Sequence, residues 1–392
     1  MIKQAKGLVS YFHNREAYII CDNVGFLTKG EKIVNITFLL PGYPWKPSGG
    51  FRVVYEYANY FVKSGHKVSI FHPRRLGNTD NEKFYLKSRA ILRNIRDCLF
   101  RPNIDWQNID NRVCINFVPS LLYNNIKFNE SDIYIATAWQ TAEYLMNYPI
   151  SNSRKFYLIQ GYETWDGPKD RVDATWKASM KKIVVAKWLY ELGCEMGASD
   201  LCHIPNGIDL NKYCIHKRVS NRVPRVAMLY SKLSIKGSNE GIEALIIAKR
   251  KLPSLQAVLF GVNRRPSTLP KWIEYYRNPS QQYLVEEIYN GSSVYLCSSW
   301  FEGWGLPVAE AMACGCAIVT TACKGIDDFV IHRKNALVVE IKNSDKMASA
   351  LIEVLSNDTL RKDLAKEGLT KIQELKWNAS ATKFLHYLER DL

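Results

Sequence analysis

The chain has no run of about 18 apolar residues, so no segment is expected to cross a membrane as a helix. It has no zinc-type cysteine spacing and no C-x-x-C: its ten cysteines are scattered, and the nearest pair, Cys314 and Cys316, flanks a single glycine. Small reduced thiols in a cytoplasmic setting are therefore the expectation. The seven histidines form no H-x-x-H or HExxH pattern, which argues against a histidine-built metal centre. His66 and His203 fall at strand beginnings and read as structural. No D-x-D string occurs either, Asp327 and Asp328 being adjacent, so no metal or cofactor is expected. Residues 1–20 carry basic groups but no clean apolar core with a small-residue cleavage site, and a secretory leader is not expected. Solenoid-length repeats and low-complexity tracts are also missing.

Acidic residues are in deficit, with 38 Asp and Glu against 53 Lys and Arg, a net charge of +15. Such an excess points to nucleic acid, an anionic membrane surface or phosphorylated substrates. No zinc-finger, RNP or helix-turn-helix signature supports nucleic acid. The 392 residues exceed one ordinary core and fit two domains of about 180 residues each. A hydrophobic content of 47% with 23% charged residues is that of a folded protein.

The most informative string is Trp300–Gly315, WFEGWGLPVAEAMACG. Gly303 and Gly305 suit a sharp turn or a close approach to a ligand. Pro307 fits a first helical turn, where its missing N–H costs nothing, and Ala309 to Ala313 are good helix formers. The string thus predicts a loop feeding a helix N-terminus, whose free N–H groups and dipole suit a phosphate. Glu302 precedes the turn and Glu310 lies about one turn inside the helix, so both can face one ligand. A second string, Leu229–Gly237 (LYSKLSIKG), puts Lys232 and Lys236 four positions apart after a strand. Cations there stabilise the charge on a departing diphosphate; two solvent-facing lysines are the plainer alternative.

Strand and helix segments alternate along the chain. Ile33–Leu40 reads as a buried parallel strand, followed by a loop ending in Gly49–Gly50, a helix over Phe51–Ser64 and a strand over Lys67–Phe71. Further strands are expected at Ile115–Val118, Ile133–Ala136, Phe156–Gln160 and Ile183–Ala186, with a helix over Val185–Cys194. The alternation restarts with a strand at Arg225–Tyr230, a helix over Gly237–Lys251 and a strand at Ala257–Gly261. A helix over Tyr283–Gly291 and strands at Val294–Ser298, Ala317–Thr321 and Ala336–Val339 follow, with a helix at Asp345–Ser356. Such alternation predicts doubly wound parallel sheets. The expected division is an extension over 1–30, a first domain over 31–215, a second over 216–375 and a terminal helix over 376–392. The polar stretch 210–222 reads as the linker.

The E-x7-E of Glu302 and Glu310, with GLP and EAMACG in register, resembles the signature of the retaining nucleotide-sugar glycosyltransferases (family four in the usual classification). That resemblance implies the GT-B fold: two facing Rossmann-like domains with a cleft between them. It implies that Glu302 holds donor-sugar hydroxyls near the reacting carbon and Glu310 the ribose hydroxyls, while the backbone of Gly303, Trp304, Gly305 and Leu306 meets sugar and phosphate oxygens. Lys232 and Lys236 occupy the diphosphate-gripping positions, although the first is arginine in most relatives and lysine lacks its bidentate fork. HIPNGID (His203–Asp209) resembles the turn leaving the first domain, and the terminal helix is expected to pack back on that domain. Gly49 and Gly50 resemble the glycine pair beside the phosphates and acceptor, with Arg52 as a further contact. Gln160 stands where many relatives carry histidine; glutamine hydrogen-bonds a hydroxyl but supplies no proton transfer.

ATAWQTAEYL and IQGYETW are similar to bacterial polysaccharide enzymes that transfer rhamnose. The implied partners are a nucleotide-sugar donor and a glycan or lipid-linked glycan acceptor, with no nucleic acid. Lys87–Arg101 reads as a basic amphipathic helix, lying either on an anionic membrane or against the core. Competing readings are an inactive GT-B binding module and a two-domain sugar-nucleotide epimerase.

Overall fold

The computed structural model describes residues 33–74, 76, 95–97, 99–126 and 128–390. The expected extension over 1–30 and most of the basic segment 87–101 lie outside them. The strands, in chain order, are β1 (Asn35–Leu39), β2 (Lys67–Pro73), β3 (Cys114–Val118), β4 (Ile133–Ala136), β5 (Lys155–Ile159), β6 (Lys181–Val184) and β7 (Leu201–His203), then β8 (Arg225–Leu229), β9 (Gln256–Gly261), β10 (Ile273–Arg277), β11 (Val294–Cys297), β12 (Ala317–Thr321) and β13 (Leu337–Val339). They build two wholly parallel sheets, ordered β3-β2-β1-β4-β5-β6-β7 and β10-β9-β8-β11-β12-β13. Their apolar runs are continuous because helices cover both faces. β1, β4, β5 and β11 show the consequence, with every residue from Ile36 to Leu39 and throughout the other three buried.

The helices are α1 (Gly49–Lys63), α2 (Trp139–Met146), α3 (Lys169–Lys177), α4 (Lys187–Glu195), α5 (Ser238–Lys251), α6 (Leu306–Ala313), α7 (Ser344–Ser356), α8 (Asp358–Ile372) and α9 (Trp377–Glu389). The segment expected to be one helix over Tyr283–Gly291 is a short turn, Gln281–Tyr283, continuing as a π-helix over Leu284–Tyr289. Its wider turns bring Tyr289 into the core. The stretch 210–222, polar as it is, is pinned to the second domain. Asn290 Oδ1 accepts from the backbone of His216 and Lys217 at 2.7 and 3.2 Å, and the buried Arg222 donates to Cys314 O at 2.7 Å.

In each sheet the strand order reverses once, between β1 and β4 and between β8 and β11. Ligands of open parallel sheets bind beyond the strand carboxyl ends at such a reversal. Gly49–Gly50 follows β1, while the lysine string follows β8 and the glutamate string follows β11.

The chain crosses between the sheets twice, and the crossings touch: Ile208 N donates to Leu375 O at 2.8 Å. A Cβ on Gly207 would lie 2.3 Å from Trp377 N, so only glycine lets the two backbones come this near. Beyond the second crossing α9 lies against α1, where Tyr57 meets Phe384 edge-on at 4.8 Å, and Tyr387 donates to Asp200 O at 2.8 Å.

Candidate active site

Gly237 explains why the lysine string turns as it does. Its φ is +55°, and a Cβ there would meet Ser298 O at 2.0 Å. The turn over Ser234–Lys236 is thereby folded beneath the loop after β11, where Trp300 N donates to Ile235 O at 2.7 Å. Lys236 Nζ donates to Glu302 Oε2 at 2.8 Å, and Ser299 Oγ donates to Glu302 Oε1 at 2.6 Å. Burial works against the Lys236 charge, but the Glu302 carboxylate outweighs it, and the lysine pKa is raised. At pH 7 this is a fixed cation beside a carboxylate whose side chain is 9% exposed. Lys232, in the same loop, is exposed. Among the described residues only its backbone is engaged, donating to Asn263 Oδ1 at 3.1 Å, which leaves its ammonium available to an anion.

α6 starts from Gly305, which has φ +86° and provides no side-chain cap. Its first N–H groups therefore face the loop with the dipole behind them. Trp304 is buried with its ring 4.9 Å from Phe329, so its side chain packs while its backbone stays in the turn. Glu310 is 2% exposed. It accepts from Tyr289 OH at 2.9 Å and forms an ion pair with Arg52 of the opposite domain.

The first-domain residues meet this constellation directly. Gln160 Nε2 donates to Gly50 O at 3.1 Å, and a Cβ on Gly303 would lie 2.0 Å from Gln160 O. Trp188 Nε1 donates to Gly303 O at 3.3 Å, and a Cβ on Gly49 would lie 3.7 Å from Leu306 Cδ1. Asp328 bridges the domains too, accepting from Lys187 N at 3.1 Å and lying 3.2 Å from His203 Nε2. His203, read as structural, thus serves the domain contact. The cavity lined by Lys236, Ser299, Glu302 and Pro307 is about 10 Å³. A small-molecule site needs several hundred, so this cavity is an internal gap of the second domain, walled by residues from 229 to 308, and not the ligand space itself.

Several participants carried no signal in the sequence. Tyr289 and Ser299 belong to no motif, and Arg52 was legible only as a neighbour of the glycine pair. Glu163, in the IQGYETW string, accepts from Trp139 N at 2.9 Å at the start of α2. Burial pushes its carboxyl from 4.5 up to about 7, opposed only in part by that N–H. The folded protein therefore holds a proton that the unfolded chain has released, so the Glu163 contribution to stability is greatest below about pH 4.5 and declines as pH rises through 7. Glu163→Gln is expected to flatten that decline, a change of roughly 3 kcal/mol at most. Urea melts across about pH 5 to 8 check it; equal slopes in both proteins would refute the assignment.

Ninety-one per cent of the chain superposes on sucrose-phosphate synthase from Thermosynechococcus elongatus, covering 98% of that chain with a TM-score of 0.69 and 16% identity. HepE from Anabaena, solved in complex with UDP-glucose, gives a TM-score of 0.67 and 14% identity, covering 91% of this chain and 99% of that one. The fold is GT-B. Residues 217–371 match the family described as Glycosyl transferases group 1. Lys232, Lys236, Glu302 and Glu310 all lie inside this group 1 region. Among curated proteins, the chain is 25% identical over 175 residues to the N,N'-diacetylbacillosaminyl-diphospho-undecaprenol alpha-1,3-N-acetylgalactosaminyltransferase of Campylobacter jejuni, 43% of this chain and 46% of that protein. The chain spans less than half the length of the curated relatives it matches. In GT-B terms, the group 1 region holds the two lysines, the two glutamates and the α6 N-terminus, while the opposite domain supplies Gly49, Gly50, Arg52 and Gln160.

Proposed function

We propose that this protein is a glycosyltransferase moving a hexose or deoxyhexose, with rhamnose as a candidate, from a nucleoside-diphosphate sugar to a growing glycan. The observation that carries the reading is the partly buried Lys236–Glu302 pair beside the α6 N-terminus, at the strand-order reversal of the group 1 region. Lys236, Lys232 and the helix dipole offer positive charge where a leaving diphosphate needs it. That supply of cations, with no D-x-D string, supports a metal-independent reaction. Glu302 is held by Lys236 and Ser299 and is suited to accepting sugar hydroxyls and orienting the donor. Glu310 takes the ribose hydroxyls once Arg52 withdraws. The resemblance to family four implies that retention proceeds by front-face departure and attack, with the leaving phosphate helping to take the acceptor proton, and Gln160, which supplies no base, is compatible with that route.

The UDP-glucose complex of HepE supports a nucleotide-sugar donor. The diphospho-undecaprenol in the Campylobacter enzyme's name supports a lipid-linked acceptor in surface polysaccharide synthesis. No helix among the described residues is long and apolar enough to cross a membrane. The +15 charge suits peripheral attachment to an anionic inner membrane face.

A panel of UDP-, GDP- and dTDP-sugars, scored by thermal shift with and without chelator, tests the proposal. One donor at about 100 times its Kd should stabilise the fold by about 2.7 kcal/mol. Glu310→Ala should abolish that shift, whereas an undiminished shift would remove Glu310 from the ribose role. Loss of sugar transfer on chelation would overturn metal independence.

A further inference from the structure

A second cavity, of about 660 Å³, lies outside the donor site, between one flank of α1, the loop at Gln107–Asn108 and both chain crossings. Its size falls within the range of small-molecule sites, and its walls mix charged and amide side chains with Ile208, Leu210 and Trp377. Lys63 of α1, Lys212 of the first crossing and Lys376 of the second all line it. Among the described residues none of the three has a carboxylate within ion-pair distance. Glu56 and Asp209 also line the cavity but are otherwise occupied. Glu56 accepts from Gln107 Nε2 at 2.8 Å, and Asp209 accepts from Asn211 N at 3.0 Å. Burial and the charge of Arg52 lower the Lys212 pKa, and those two carboxylates offset this only in part. Three ammonium groups against two carboxylates leave the wall with a net positive charge, which favours an anion.

The rest of the wall suits a sugar. The side chains of Asn211 and Asn378 carry no hydrogen bond among the described residues, leaving amide donors and acceptors for hydroxyls. Trp377 is half-buried against Tyr57, its ring edge-on at 5.2 Å, and it too lines the cavity. An apolar ring face beside amides matches a pyranose, which has apolar faces and a polar rim. We propose that this cavity between the crossings is a binding site for an anionic saccharide, distinct from the donor site. The three lysines hold the phosphate or carboxylate, and the amides and Trp377 hold the ring.

Calorimetry on the full chain tests this, using glucose 6-phosphate and glucuronate as probes and glucose and inorganic phosphate as comparisons, each run without and with excess UDP. At least one anionic sugar should bind saturably, at least about tenfold tighter than glucose or phosphate; the better of the two identifies the anion. Lys63→Ala combined with Lys376→Ala, both exposed positions, should weaken it about tenfold while the melting temperature and UDP affinity hold. The proposal is overturned by absence of saturable binding, by equal binding of glucose or phosphate, by displacement with UDP, or by unchanged affinity in the double variant. These readouts involve no sugar transfer, so their failure leaves the proposed activity standing, and failure of that activity leaves them standing.

Discussion

Lys236→Ala is expected to reduce kcat for sugar transfer by about 10²- to 10³-fold, the cost of removing one preorganised group from a developing anion. Two effects are mixed in that variant. Lys236 balances a Glu302 carboxylate whose side chain is 9% exposed, and stranding a buried charge costs about 3–5 kcal/mol of stability. Ser299, the remaining partner through its 2.6 Å hydrogen bond, compensates a fraction of this. Lys236→Met combined with Glu302→Gln removes both charges and restores neutrality, and Glu302→Gln alone gives the share of the kcat loss that belongs to the donor-orienting carboxylate. Stability should recover in the double variant while kcat stays low. If activity returned with stability, the lysine would be a structural counter-ion and the diphosphate role would fall.

The second large effect is expected from Gly303→Ala. The added Cβ would stand 2.0 Å from the Gln160 carbonyl oxygen, and that atom is backbone at the end of β5, with no flexible side chain to move aside. The clash lies between the two domains rather than inside either, so each core stays as it is. The variant should therefore melt within a few degrees of the parent, yet fail to reach the closed arrangement that joins Gly303 to Gln160 and Trp188. Transfer should fall by about 10²-fold, the order expected when a reacting group is misplaced by about an ångström. Donor affinity, set largely within the group 1 region, should change far less. Near-parental kcat would show that closure does not use this contact.

Much of the fold was legible from local signals. The apolar runs at Ile33–Leu40, Phe156–Gln160 and Val294–Ser298 became β1, β5 and β11 within a residue or two, because buried parallel strands need apolar side chains on both faces. What escaped has a shared physical cause. β7 and β10 are edge strands and only part-buried, so their pattern is weak. α3 and α8 are rich in charge, with few apolar positions to mark a stripe. The π-helix at Leu284–Tyr289 has a helical composition and differs only in hydrogen-bond register.

At the candidate site the same division holds. The turn at Gly303–Gly305 and the helix after it were written in the residues, because the steric freedom of glycine, the fixed φ of proline and helix propensity act within a few positions. The pairing of Lys236 with Glu302 follows almost as directly, once β8 and β11 are neighbours. Tertiary structure alone decided that Arg52 occupies Glu310, that Gln160 closes on Gly303, and that Glu163 is buried enough to titrate near neutrality. The first two contacts join segments far apart in the chain and depend on how the two domains sit against each other, while the third depends on how the start of α2 and the loop after β5 exclude water within the first domain. Neither quantity has a local signature in sequence.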